Sequence, residues 1–216
     1  MKNVTVRRQR RAANEAGCAK RREEILCAAA KLFARHGYAD TDTQLLADKL
    51  GVGKGTLYRY FPSKEDLFLA AVDRAMHMVR RQVDAGMVAI MDPLDQIAEA
   101  IRIYLAFFAA HPDVVELLIQ ERAQFKDRKT PTYFEHREAN IERWRALYRS
   151  LIAEGRIRDM PVERITDVLS DLVYGTMFTN YFTNRQRPFE AQAQDILDVV
   201  FHGILSDGER QRRGSK

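Results

Sequence analysis

The sequence predicts an all-α fold of about nine helices, and three observations carry that expectation. Apolar residues recur at the 3.6-residue helical period almost from end to end. Strand signals are missing: no Asn-Gly or Asp-Gly pair sits between alternating apolar residues. Pro93, Pro112, Pro131, Pro161 and Pro188 cut the second half into helix-length segments. Proline is tolerated at such starts because its missing N–H would be unpaired there in any case. At 216 residues, 46% hydrophobic and 30% charged, the chain can bury a large core, which excludes a disordered or collagen-like polymer.

In order along the chain, a first helix is expected over about residues 20–36. Ile25, Leu26, Ala29, Leu32 and Phe33 line one face of it, and Gly37 supplies the C-terminal stop. Two short helices follow, at about 43–50 and 54–60. Pro62 and Ser63 break the chain, and Ser63 with Asp66 makes a loose capping box for a fourth helix reaching about residue 85. Further helices are expected at about 93–110, 112–126, 131–154, 161–183 and 189–206. Residues 207–216 are polar and read as a frayed, flexible tail.

The formal net charge of +5 is unevenly placed. Residues 1–66 hold 14 Lys and Arg against 8 Asp and Glu, whereas residues 67–216 hold 21 against 22. A local basic surface attracts polyanions, so nucleic acid or an anionic membrane is weighed first, against a merely solvated basic terminus. No apolar N-terminal stretch serves as a signal peptide. The longest apolar run, residues 103–110, is far short of the ~20 residues that span a bilayer. Cys18 and Cys27 are too few for a disulfide framework, and no Cys or His pairs show zinc-finger spacing. No membrane partner, metal or other cofactor is therefore expected. Cys27 reads as core filler on the apolar face of the first helix, and a reduced cytoplasm is the expected compartment.

The segment from Leu46 to Tyr60 carries the strongest motif. Ala47 is small enough for two short helices to cross steeply, and four residues later Gly51 can take a positive φ and make the tight turn. Leu46, Leu50, Val52, Leu57 and Tyr60 then close a small core. This is the helix-turn-helix arrangement, whose second helix lies in the DNA major groove. Lys54, Thr56, Tyr58 and Arg59 are expected on its exposed face, and no acid occurs between Lys49 and Lys64. Gly53 and Gly55, each costing about 1 kcal/mol relative to Ala in a helix, make sense where the backbone approaches a phosphate or a base edge. Lys64 can reach another phosphate. These glycines do not make a nucleotide loop, because a P-loop needs glycine where Asp48 stands and an apolar strand before it.

From Arg21 to Leu67 the chain resembles the DNA-binding domain of the TetR/AcrR family of bacterial transcriptional regulators. The resemblance is carried by Ile25-Leu26-Cys27-Ala28-Ala29-Ala30-Lys31-Leu32-Phe33, by His36-Gly37-Tyr38, and by Gly53-Lys54-Gly55-Thr56-Leu57-Tyr58-Arg59-Tyr60-Phe61-Pro62-Ser63-Lys64-Glu65-Asp66-Leu67. Thr43 matches the threonine that opens the family's second helix. The family's frequent serine at the start of helix three is Gly53 here, and its usual Arg-Asp-Ile-Ala is Gln44-Leu45-Leu46-Ala47. The resemblance implies a three-helix helix-turn-helix DNA-binding domain over 20–66, preceded by a basic, flexible arm over 1–19. It further implies a C-terminal helical bundle over 67–206 that binds ligand and dimerises. By the same resemblance, double-stranded DNA is contacted by Thr43, Gln44, Gly53, Lys54, Gly55, Thr56, Tyr58, Arg59, Tyr60 and Lys64. The implied protein is a cytoplasmic, nucleoid-associated homodimeric repressor of efflux or detoxification genes. A small apolar or amphipathic effector would release it from a near-palindromic operator. An activator or a ligand-independent regulator of the same fold is the alternative. Arg7, Arg8, Arg10 and Arg11 either form an arm that touches phosphates or the minor groove or are simply disordered.

Twelve of the 20 aromatic residues lie between Tyr104 and Phe182. Tyr104, Phe108, Trp144, Tyr174 and Phe178 are either plain core or the lining of an apolar cavity. Glu121, His136, Arg137 and Asn140 are polar groups among apolar neighbours, which suits a small-molecule site or ordinary ion pairs. In the last helix Ile196, Leu197, Val199, Val200, Phe201, Ile204 and Leu205 cover more than half the circumference. That helix and the one before it would meet their symmetry mates through Leu172, Gly175, Thr179, Val200 and Ile204, unless they only deepen a monomer core. An enzyme is not expected: no histidine follows a Glu at three residues, and neither His-Glu-x-x-His nor Gly-x-Ser-x-Gly occurs.

Overall fold

The computed structural model describes the backbone of residues 2–203 and the side chains of residues 15–203. Among the described residues there are nine helices and no strand: α1 (Lys2–His36), α2 (Thr43–Leu50), α3 (Lys54–Tyr60), α4 (Lys64–Met87), α5 (Pro93–Ala110), α6 (Pro112–Gln124), α7 (Thr132–Ala153), α8 (Val162–Thr183) and α9 (Phe189–His202). The side chains of Arg7, Arg8, Arg10 and Arg11, together with Ile204, Leu205 and the tail 207–216, lie outside the described residues.

Local chemistry accounts for most of these boundaries. Pro93 and Pro112 open α5 and α6, and Pro131, Pro161 and Pro188 stand immediately ahead of α7, α8 and α9. Gly37, at φ +82°, closes α1 with its N–H on the Phe33 carbonyl at 2.8 Å. At the start of α4, the Asp66 N–H donates to Ser63 Oγ at 2.9 Å and the Ser63 hydroxyl donates to Asp66 Oδ2 at 2.7 Å. Two ends differ from expectation. α1 begins at Lys2 rather than near residue 20, so the segment expected as a flexible arm is helical from Lys2 onward. Its run of Arg, Ala, Gln, Glu and Lys favours that state, and periodicity misses it because no apolar stripe marks it. α9 stops at His202 rather than at 206, because Gly203 at φ +74° turns the chain out of the helix.

The chain falls into two compact units, Met1–Met78 with Asp113–His136, and Val79–Pro112 with Arg137–Lys216. The first unit takes in residues on both sides of position 66, and aromatic packing gives the reason. Phe68 of α4 lies 5.1 Å from Phe33 and 5.2 Å from Tyr38, measured between ring centroids. Phe125, just beyond α6, returns to within 5.0 Å of Tyr38 and 5.6 Å of Phe68. Gln120 of α6 adds a bond from Nε2 to the Phe33 carbonyl at 3.0 Å. Ile25, Leu26, Ala29 and Phe33 of α1 are fully buried, whereas Cys27 is half-buried and Cys18 exposed, both as free thiols.

In the second unit α5 packs on α8 and α9. Ile97, Ile101, Leu105 and Phe108 meet a core that includes Leu169, Val173 and Met177 of α8 and Ala193 and Leu197 of α9, all buried. Gly86 of α4 comes so close to α5 that a Cβ there would strike Ile103 Cδ1. Asp92 caps α5, accepting from the Leu94 N–H at 2.8 Å and from Arg156 Nη2 at 2.7 Å. The Arg156 bond is the main cause that holds the Asp92 carboxyl below the usual carboxylate range, helped by the Leu94 amide. Among the described residues no single helix is long and apolar enough to cross a membrane.

Candidate nucleic-acid interface

α2 and α3 form the helix-turn-helix, and its inner surface is sealed. Ala47 and Leu46 of α2 and Leu57 of α3 are each no more than 1% exposed. Gly51 takes φ +63° and ψ +36°, its N–H bonding back into the last turn of α2. The Val52 N–H reaches the Ala47 carbonyl at 3.0 Å, which completes the turn. Arg21 of α1 donates from Nη2 to the Leu50 carbonyl at 2.8 Å and so anchors the C-terminal end of α2. No motif marks Asp42 in advance, yet it is the N-cap of α2, with Oδ1 accepting from the Gln44 N–H at 2.8 Å. Its one signal in sequence is an Asp immediately before a helical run.

α3 starts at Gly53, an extended N-cap that offers no side-chain acceptor to the first amides. Neither Gly53 nor Gly55 has a positive φ, and a Cβ built on either would meet nothing within 4 Å. Nothing within the described chain demands glycine at either place. Gly53, Lys54, Gly55 and Arg59 are exposed, while Thr56, Tyr58, Tyr60, Gln44 and Lys64 are half-buried. Thr43 is buried and turned inward, its Oγ1 3.0 Å from the Tyr58 hydroxyl, so it positions Tyr58. Gln44 donates to Asp48 Oδ1 at 2.7 Å, and Lys54 Nζ stands 3.8 Å from Asp42 Oδ1. The Arg59 guanidinium lies 5.7 Å from the Tyr60 ring. Lys64 is held at the start of α4, donating to the Ala39 carbonyl at 2.9 Å with its ammonium 4.8 Å from the Tyr38 ring. The outward-facing set is thus the first turn of α3 with Arg59.

The ligand-pocket candidates divide between the two compact units. Tyr104 and Phe108 of α5 are in contact at 4.8 Å, and the Tyr104 hydroxyl approaches Met177 Sδ of α8 at 3.6 Å. Tyr174 and Phe178 of α8 pack edge to face at 4.9 Å, and burial pushes the Tyr174 phenol up. Trp144 of α7 is half-buried, with the Arg143 guanidinium 5.9 Å from its ring. Glu121 belongs to the other compact unit and is 1% exposed. Its Oε1 accepts from Arg128 Nη1 at 2.9 Å and from the Thr132 amide and hydroxyl at 2.9 and 2.8 Å. Arg137 likewise spans Asp167 and Asp171 of α8, each at 3.1 Å. Of the dimer candidates, Leu172 is 40% exposed, Gly175 is exposed, and Thr179 and Val200 are half-buried.

The family model for bacterial regulatory proteins of the tetR family matches residues 25–71. The HTH-type transcriptional regulator LmrA of Bacillus subtilis is 24% identical over 180 residues, which is 83% of this chain and 96% of that protein. The fold matches the transcriptional regulator FadR from Bacillus subtilis, solved in complex with stearoyl-CoA. The TM-score is 0.70 at 18% identity, over 85% of this chain and 99% of that one. It also matches a putative transcriptional regulator from Saccharomonospora viridis in complex with choline, with a TM-score of 0.67 at 22% identity over 87% and 99% of the two chains. With a sealed helix-turn-helix and its outward basic face, residues 25–71 form a DNA-binding domain of the tetR type of bacterial regulatory proteins, and the chain is a DNA-binding transcriptional regulator rather than an enzyme.

Proposed function

We propose that the protein is a homodimeric repressor that reads a two-fold-related operator with α3 and leaves it when a small effector occupies the C-terminal domain. The observation that carries the reading is the pair Gly53 and Gly55, which sit exposed at the start of α3 with no conformational or packing reason to be glycine. A close approach by something outside the chain supplies that reason, and the first-turn amides beside Lys54 and Arg59 favour a phosphate or a base edge. Dimerisation is supported by the face of α8 on which Val168, Leu172 and Phe182 stay 51%, 40% and 68% exposed beside Gly175 and Thr179, with Val199 and Phe201 of α9 also exposed. A second copy of the same face is the self-complementary cover that a two-fold axis provides. An apolar or amphipathic effector suits the paired aromatics Tyr104–Phe108 and Tyr174–Phe178. The stearoyl-CoA and choline complexes of the two fold neighbours are consistent with a ligand-responsive regulator. Efflux or detoxification genes are the regulated class we assign by resemblance, and a cytoplasmic, nucleoid-associated location follows from that role.

Selection of duplexes from a random-sequence pool tests the reading. An inverted repeat should emerge, bound by a dimer, and both Arg59→Ala and Tyr58→Ala should abolish its specific binding without changing the oligomer. Normal binding by both variants, or an enriched site with no two-fold symmetry, would refute it.

A further inference from the structure

Asp73 and His77 stand one helical turn apart on α4, and His136 of α7 reaches the same spot. His136 Nε2 is 2.7 Å from Asp73 Oδ1, and His77 Nε2 is 3.7 Å from Asp73 Oδ2. The two imidazoles meet edge to face with centroids 4.7 Å apart. One ligating atom from each of the three residues lies within 4.8 Å of the others.

We propose that Asp73, His77 and His136 form a binding site for a divalent transition-metal ion, Zn²⁺ foremost. The donor set is two imidazole nitrogens and one carboxylate, the composition of three-ligand zinc sites whose fourth position holds water. Two nitrogen donors favour Zn²⁺, Co²⁺, Ni²⁺ or Cu²⁺ over Mg²⁺ and Ca²⁺, which need shells built from oxygen. A tetrahedral ion about 2.0–2.1 Å from each donor sets the donors roughly 3.4 Å apart. The two Asp73 oxygens stand 2.7 Å from His136 Nε2 and 3.7 Å from His77 Nε2, and rotation of the exposed Asp73 and His77 side chains brings one donor atom of each residue to that spacing. The i, i+4 spacing already places Asp73 and His77 over one face of α4. His136, with 15% of its side chain exposed, is the fixed ligand, while Asp73 and His77, at 53% and 54%, are free to adjust and leave a route for the ion and its water. The bound ion would tie α4 to α7 within one compact unit. The sequence hides the site, because only Asp73 and His77 are near each other in the chain and no zinc-finger spacing contains them.

Titration of the metal-free full-length protein with Co²⁺, followed by displacement with Zn²⁺, tests the site. One Co²⁺ per chain is expected, with the visible absorption of a four-coordinate ion, reversed by Zn²⁺ and unaffected by Mg²⁺. His77→Ala and His136→Ala should each raise the Zn²⁺ dissociation constant by at least about tenfold, the smaller end of what even an outer-shell loss produces. His77→Ala, at an exposed position where the fold is not at stake, decides the matter. An absence of bound Co²⁺ or Zn²⁺ in excess metal would overturn the site. So would binding that His77→Ala leaves unchanged or that Cys18→Ser and Cys27→Ser abolish.

Discussion

Replacing Gly55 by Ala should move stability and DNA affinity in opposite directions. Gly55 sits exposed in α3 with no positive φ, and the new Cβ would meet nothing within 4 Å. The methyl group therefore enters without strain, and its main effect is to restrict the unfolded chain. A gain of about 0.5–1 kcal/mol follows, or a rise in Tm of roughly 1–4 °C for a chain of this size. On DNA the same methyl would occupy space that we assign to a phosphate or a base edge. The expected loss is about 1–3 kcal/mol, the scale of one good base contact, or roughly a 5- to 150-fold higher Kd. Thermal melts followed by circular dichroism give the first quantity. Fluorescence anisotropy on a duplex selected by the wild-type protein gives the second, at one fixed ionic strength because phosphate-driven affinity falls steeply with salt. Greater stability with unchanged affinity would refute the claim that a partner approaches Gly55. Lower stability would refute the claim that the site is open.

Gly53→Ser should add the side-chain acceptor that the α3 N-cap lacks, raising stability by a few tenths of a kcal/mol and tightening DNA through a hydroxyl on phosphate; calorimetry and anisotropy on the same duplex check both, and weaker binding would count against the phosphate assignment. Leu172→Glu should convert the dimer to monomer by placing a charge on the exposed face of α8, read as mass by light scattering; an unchanged mass would remove α8 from the interface. Glu121→Ala should cost about 2–4 kcal/mol in urea unfolding, because it strips one buried acceptor from Arg128 and from both donors of Thr132. A loss below about 1 kcal/mol would mean that Arg128 and Thr132 find other partners at no cost.

Much of the fold is legible residue by residue because its signals are local. Gly37 and Gly51 take the left-handed φ that their positions imply, and Ser63 with Asp66 forms the capping pair. The five helices from α5 onward start at or just after a proline, as a missing N–H dictates. The helix-turn-helix is equally legible, since Ala47, Gly51 and Leu57 act within a span shorter than two helices. Thr43 marks where such reading stops. A polar residue opening a helix looks the same in sequence whether it faces DNA or bonds the hydroxyl of Tyr58.

The sequence by itself therefore determined the helical class, the order of the helices and the starts of all but the first, and the end of the chain that carries the basic reader, because these depend on neighbours within one or two turns. Tertiary structure alone decided that Phe125 returns to Phe68 and joins the end of α6 to the first compact unit, that Glu121 Oε1 bonds Arg128 and Thr132, and that His136 comes to Asp73 and His77. Each of these depends on which of many distant side chains fills a given space, and that choice is made by packing the whole unit at once.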